Sequence, residues 1–127
     1  MEPHTILVID DDRNLRTSLC EALTLAGFTT IEASTGEQGL ALAFAHKPDL
    51  ILLDISMPQM NGYEVLSKLR KDVWGKKVKV ILLTALDSLN NIAQGVDLSS
   101  NAYLIKSEVT LQSIIQTVNF HLFGYKK

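Results

Sequence analysis

Ile51-Leu52-Leu53-Asp54 decides the reading of this chain: an unbroken apolar run that stops on a carboxylate. Three other runs end in the same manner. Ile6-Leu7-Val8-Ile9 runs into Asp10-Asp11, Val78 to Leu83 into Thr84, and Ala102-Tyr103-Leu104-Ile105 into Lys106. Strands of a parallel sheet are covered on both faces, so they read as continuous hydrophobic runs rather than alternating ones. In an open sheet of that kind, ligands bind beyond the carboxyl ends of the strands, where the strand order reverses. Four strand-like runs, each ending in a group able to handle a phosphoryl oxygen or a metal, therefore point to one site.

Working outward, short apolar runs alternate with helical stripes along the whole chain, the pattern of repeated βα units. Strands are predicted over Ile6–Ile9, Phe28–Ala33, Leu50–Leu53, Val78–Leu83 and Ala102–Ile105. The fold expected is α/β: a doubly wound, five-stranded parallel sheet of order 2-1-3-4-5, flavodoxin-like (βα)5. Phe28 to Ala33 mixes polar residues into its run and reads as an edge strand. Leu15, Leu19, Leu23 and Ala26 share one face of the first helix, which Gly27 closes. Thr35 with Gln38, and Asn61 with Glu64, have the spacing of capping boxes that start the second and third helices. Leu89, Ile92, Ala93 and Val96 stripe the fourth, and Leu111, Ile114, Ile115, Val118 and Leu122 the fifth. Phe120 and Phe123 fall off that last stripe, as an aromatic patch for a partner or a seat for Tyr125 folded back.

With 127 residues, 46% of them apolar, residues 1–127 are expected to form one domain around one core. No apolar stretch approaches the ~20 residues of a membrane span, and the first residues lack the regions of a signal peptide. The expectation is a cytoplasmic protein without membrane contact. A single Cys20 among Leu19, Ala22 and Leu23 reads as a core residue. A net charge of −2 leaves no basic footprint for direct nucleic-acid binding, and Lys76-Lys77-Val78-Lys79 reads as a solvated loop.

In the expected strand order the first and third strands are neighbours, so Asp10, Asp11 and Asp54 converge. At ~5 Å and an effective dielectric of ~20, each pair of charges repels by roughly 3 kcal/mol, about 10 kcal/mol for three pairs. Lys106 offsets part of this, and an all-oxygen site suits a hard divalent cation, which makes Mg²⁺ the expected cofactor. His4, His46 and His121 are scattered and form no zinc pattern. A carboxylate can attack phosphorus when the charge on the transferring group is neutralised and the geometry is in line. Asp54 is the candidate nucleophile, with Lys106 and the Thr84 hydroxyl on the remaining phosphoryl oxygens. Each feature alone has a plainer explanation: an aspartate run caps helices, and Asp12 fits that role.

Four segments, Ile6-Leu-Val-Ile-Asp-Asp-Asp12, Asp54-Ile-Ser-Met-Pro-Gln-Met-Asn-Gly62, Leu83-Thr84-Ala85 and Tyr103-Leu-Ile-Lys106, resemble the signatures of the receiver domain of two-component response regulators, in that family's order. The resemblance implies a phosphoacceptor Asp54 charged by a sensor histidine kinase or phosphotransfer protein. It implies Mg²⁺ on Asp10, Asp11, Asp54 and the backbone carbonyl of Ser56, and a switch pair of Thr84 and Tyr103. The fourth helix, fifth strand and fifth helix would then signal to an output protein or domain, and a homodimer formed on phosphorylation is among the outcomes it allows. On this reading the protein is not an enzyme beyond catalysing its own phosphorylation and dephosphorylation. The start at Met1 fits an N-terminal receiver.

Two departures stand out. Receivers usually follow the lysine with proline, often through a cis peptide, whereas Ser107 stands here; and Ser99-Ser100-Asn101-Ala102 departs from the common lead into the fifth strand. These motivate the alternative of a phosphorylation-independent, receiver-like interaction module, against which the retained Asp10, Asp11, Asp54, Thr84 and Lys106 argue. A haloacid-dehalogenase-like phosphatase is disfavoured because Asp54 is followed by Ile55-Ser56 rather than x-Asp. An apolar Leu86 beside the site implies slow self-dephosphorylation.

Overall fold

The computed structural model describes residues 3–84 and 100–124. Five strands, β1 (Thr5–Ile9), β2 (Thr29–Ala33), β3 (Leu50–Asp54), β4 (Lys79–Thr84) and β5 (Ala102–Ile105), pair in parallel in the order β2-β1-β3-β4-β5. The expected strand order holds, with β2 at an edge as its mixed composition implied. Four α-helices lie among the described residues: α1 (Arg13–Leu25), α2 (Gly36–His46), α3 (Gly62–Arg70) and a C-terminal helix (Leu111–Phe123). The stripe predicted for the fourth helix, Leu89 to Val96, lies outside them.

Alternation along each strand sends successive side chains to opposite faces and so builds two cores, one on each face of the sheet, where a single core was expected. Ile6, Val8, Leu50, Leu52, Ile81 and Leu83 face α1 and the C-terminal helix. Leu7, Ile9, Ile51, Leu53, Val80 and Leu82 face α2 and α3. All five residues of β3 are buried, which is why that strand reads as pure Leu and Ile up to its terminal aspartate. Cys20 is buried in the first core as expected, and burial pushes its thiol up to about 11, away from thiolate chemistry.

Local chemistry fixes the element ends. Asp12 caps α1, accepting from the amides of Asn14 and Leu15. At the other end Gly27 adopts φ +99°, its amide donating to Thr24 and that of Phe28 to Leu23, a Schellman closure. Asn61 and Glu64 form the reciprocal capping box expected. At α2 only half of the box forms: Thr35 accepts from the Gln38 amide, but the Gln38 side chain reaches the amide of Ser34. Three expectations are corrected. Ala26 is exposed, because the helix stops at Leu25 and the Gly27 turn carries it off the stripe. Leu111 is 39% exposed, since as the first residue of its helix it has no preceding turn to cover. Lys79 belongs to β4 rather than to a solvated loop, and its ammonium donates to the carbonyl of His121 at the end of the C-terminal helix.

Candidate functional site

The register brings the strand ends together. Ile9 stands opposite Leu53, Asp54 opposite Leu83, and Thr84 opposite Ile105, so the residues that end β1, β3, β4 and β5 share one edge of the sheet. Asp10 follows β1, held by its amide on the carbonyl of Ala33 (3.1 Å), while Arg16 Nη1 donates to its carbonyl (2.8 Å). Its Oδ1 accepts from the amide of Asp12 (2.9 Å), so one aspartate orients another that caps α1. Asp54 Oδ1 accepts from the amide of Ser56 (3.1 Å). Lys106 Nζ then bridges the two carboxylates as an ion pair, 3.3 Å from Asp10 Oδ2 and 3.2 Å from Asp54 Oδ1.

Asp10 and Asp54 are 0% and 1% exposed, whereas Asp11 is exposed beside them. Carboxylate oxygens of all three lie within 4.8 Å of one another. One half-buried lysine cannot neutralise three carboxylates at that spacing. Burial, and then the charge of Asp10, push Asp54 up to about 7, with Lys106 only partly offsetting them. For Lys106, burial works against the charge, but Asp54 and Asp10 outweigh it and hold the ammonium above the ordinary lysine range. Asp54 Oδ2 is buried yet accepts no hydrogen bond. Buried polar atoms are normally satisfied, so this oxygen is held ready for something else. Three converging carboxylates, with Asp54 Oδ2 unsatisfied and Asp10 Oδ2 met only by the Lys106 ion pair, are compatible with a metal site of the hard-cation kind.

Glycine permits the geometry. A Cβ on Gly62 would sit 2.5 Å from the carbonyl oxygen of Asp54 and 2.8 Å from Cα of Ile55, so only glycine lets α3 begin directly against the end of β3. Met57 and Met60 pack that connection onto the α2–α3 core, as expected. Thr84 is fully buried at the end of β4. Tyr103 is half-buried and packs against the same core, near enough to Tyr63 to help burial push that phenol up to about 12. Ser56 is exposed immediately after β3. At the departure from the family pattern the structure is simple: the Lys106–Ser107 peptide is trans, and the chain turns through a 3-10 segment, Lys106–Glu108. Leu86 lies outside the described residues.

Two contributors escaped the sequence reading. Arg16 secures the carbonyl of Asp10 and pairs with Glu32 (3.1 Å), but its main partner is backbone, which leaves no side-chain spacing to read. Gly62 had a readable signal, a glycine eight residues after the strand-ending aspartate, but not a readable contact.

The family model described as the response regulator receiver domain matches residues 6–119. The chain belongs to that family. It is thus a signalling domain of two-component systems, and the cluster of Asp10, Asp11 and Asp54 fits the family's phosphorylation and Mg²⁺ site. Among curated relatives, a probable transcriptional regulator ycf27 of Cyanidium caldarium is 37% identical over 96% of this chain and 51% of its own length. The nitrate/nitrite response regulator protein NarL of Escherichia coli K12 is 41% identical over 83% of this chain and 49% of its own. The chain spans about half the length of the curated relatives it matches. Among solved structures, a CheY-like receiver domain protein from Methanospirillum hungatei superposes with a TM-score of 0.87 at 29% identity, covering 94% of each chain. Chemotaxis protein CheY4 of Vibrio cholerae gives 0.87 at 24% identity over 95% of this chain and 99% of its own, a likeness of fold.

Proposed function

We propose that residues 1–127 act as one receiver domain, a phosphorylation-driven switch in which Asp54 takes a phosphoryl group from a phosphohistidine on a sensor kinase or phosphotransfer protein. The observation that carries this reading is Asp54 Oδ2, buried and unsatisfied, on a carboxylate that converges with those of Asp10 and Asp11 and pairs through Oδ1 with Lys106. In the transfer, an Asp54 oxygen forms the bond to phosphorus as the N–P bond of the donor breaks, and the electron pair returns to the imidazole nitrogen. Lys106, already 3.2 Å from Asp54 Oδ1, is placed to hold one phosphoryl oxygen, and the Thr84 hydroxyl another. Asp10, Asp11, Asp54 and the Ser56 carbonyl would hold Mg²⁺, whose chemistry is to neutralise charge on the remaining oxygen and among the carboxylates.

Formation of the acyl phosphate changes what Thr84 and Lys106 face. Tyr103, one strand away, follows, and the surface of β5 and the C-terminal helix passes the change to an output protein or domain. A hundredfold shift of such an equilibrium takes ~2.7 kcal/mol, within the scale of one phosphoryl group and its new contacts. A depression of about 160 Å³ lined by Leu15, Lys106, Val109, Leu111 and Ile114 adjoins the site and supports a donor docking between α1 and the C-terminal helix. Intact mass after incubation with acetyl phosphate tests the reading. The expected result is a Mg²⁺-dependent gain of one phosphoryl group that Asp54→Ala abolishes. A gain that survives Asp54→Ala, or none at all, overturns it and favours a phosphorylation-independent module.

A further inference from the structure

The end of the sheet opposite the acidic site carries its own pattern. Parallel strands begin there and the returning helices finish there. Five exposed lysines collect on or around it: Lys47 after α2, Lys68 and Lys71 in and after the last turn of α3, and Lys76 and Lys77 in the connection to β4. Among them Val73 is 82% exposed, and Phe44, 40% exposed, meets Trp74 edge-on at 6.2 Å. Leu25, 90% exposed, projects from the last turn of α1 at the same end. The nearby acids are occupied with backbone: Asp49 Oδ2 accepts from Thr5 and Asp72 Oδ2 from Gly75.

Lysines in a last helical turn offset the dipole there, which accounts for Lys47, Lys68 and Lys71. It accounts neither for Lys76 and Lys77 nor for an aliphatic side chain standing out of the surface between the lysines. Protein-binding surfaces are depleted in lysine and enriched in arginine, whose fork pairs with carboxylates. Here the one arginine of the region, Arg70, is turned inward onto the carbonyls of Gly75 and Val78. Phosphates of nucleic acid favour helix N-termini, and those lie at the other end. Separate exposed apolar side chains among exposed lysines suit a fluid anionic surface, where lysines meet headgroups and the apolar tips enter the acyl boundary.

We propose that this end of the domain docks reversibly on an anionic lipid bilayer through Val73, Phe44 and the lysines around them, leaving the Asp54 end facing away from the membrane. The expectation of no membrane contact rested on the lack of an apolar span, and among the described residues no helix is long and apolar enough to cross one; surface docking needs none. The test is flotation of the 127-residue protein with vesicles of phosphatidylcholine alone, or with about a third phosphatidylglycerol, at low and high salt. Binding to the anionic vesicles only, suppressed by salt, is expected. One lysine near such a surface is worth about fivefold in partition, so Lys76→Gln/Lys77→Gln lowers it about 25-fold. Val73→Asp lowers it further, and both variants keep the wild-type circular dichroism because the replaced side chains are exposed. Failure to bind anionic vesicles at low salt overturns the proposal. Equal binding by the variants overturns it too, as does retention on polyglutamate or duplex DNA with none on vesicles. No outcome depends on Asp54 chemistry.

Discussion

Asp49 and Asp54 bracket the same strand and are used in opposite ways. Asp49, exposed before β3, accepts the Thr5 amide at 2.7 Å and ties the start of β1 to the start of β3. Asp54, 1% exposed at the other end, keeps one oxygen unsatisfied and shares its surroundings with two more carboxylates. The contrast extends to the cations. Arg70 Nη1 donates to two carbonyls and Lys79 to the end of the C-terminal helix, so both stabilise. Lys106 instead is set between two buried acids that together exceed its charge. Asp49, Arg70 and Lys79 at or near the starting end satisfy backbone groups, whereas at the finishing end burial and the neighbouring Asp10 oppose the charge of Asp54.

Several substitutions would break or sharpen this contrast. Arg70→Ala removes the donor from two carbonyls in the α3–β4 connection, and urea denaturation should show a loss of about 3 kcal/mol; a loss below ~1 kcal/mol would mean water replaces it freely. Asp54→Asn should act in the opposite sense. A carboxyl raised to about 7 in the fold, against 3.8 otherwise, binds its proton more tightly when folded. The native state is therefore penalised progressively as pH rises from about 4 through about 7, and the penalty is full above that. In metal-free buffer the asparagine variant should be more stable by a few kcal/mol at pH 8, the gain vanishing towards pH 4. A gain that is independent of pH would remove charge as its cause.

Gly62→Ala should cost about 1–3 kcal/mol, because the atoms it meets are backbone and cannot rotate aside, and should slow phosphorylation through displaced Asp54. Wild-type phosphorylation in a destabilised variant would separate the packing from the site. The smallest effect belongs to Asp49→Asn. One exposed hydrogen bond, from the Thr5 amide, is weakened, by about half a kcal/mol in urea denaturation.

Much of this was legible because both sides of a parallel sheet are buried. A residue buried on both faces has few alternatives, so β3 reads as Leu and Ile and its boundary falls at Asp54. Caps were legible where a side chain meets amides two or three residues along the chain, as at Asp12 and Asn61. What failed were contacts whose partner is backbone or shape. The Arg16 grip on the Asp10 carbonyl, the Gly62 approach to β3, and Gln59 at φ 65° in the same connection have no pattern in side-chain periodicity. Burial at helix ends failed for a related reason, since at Ala26 and Leu111 the helical spacing continues but the layer beneath does not. The carboxylate cluster and its excess of negative charge over Lys106 were legible as a convergence, yet which acids are buried, Asp10 and Asp54 but not Asp11, required coordinates.

The most direct test of the account is thermal unfolding against Mg²⁺ at neutral pH, for the wild type and for Asp10→Asn/Asp11→Asn. If uncompensated carboxylates define the site, a cation that binds only the fold should stabilise it by about 2.7 kcal/mol at a hundredfold its dissociation constant, raising Tm by about 10 °C. The double variant should start more stable without metal and gain little from it. A wild-type Tm indifferent to Mg²⁺, or an equal rise in the variant, would contradict the account.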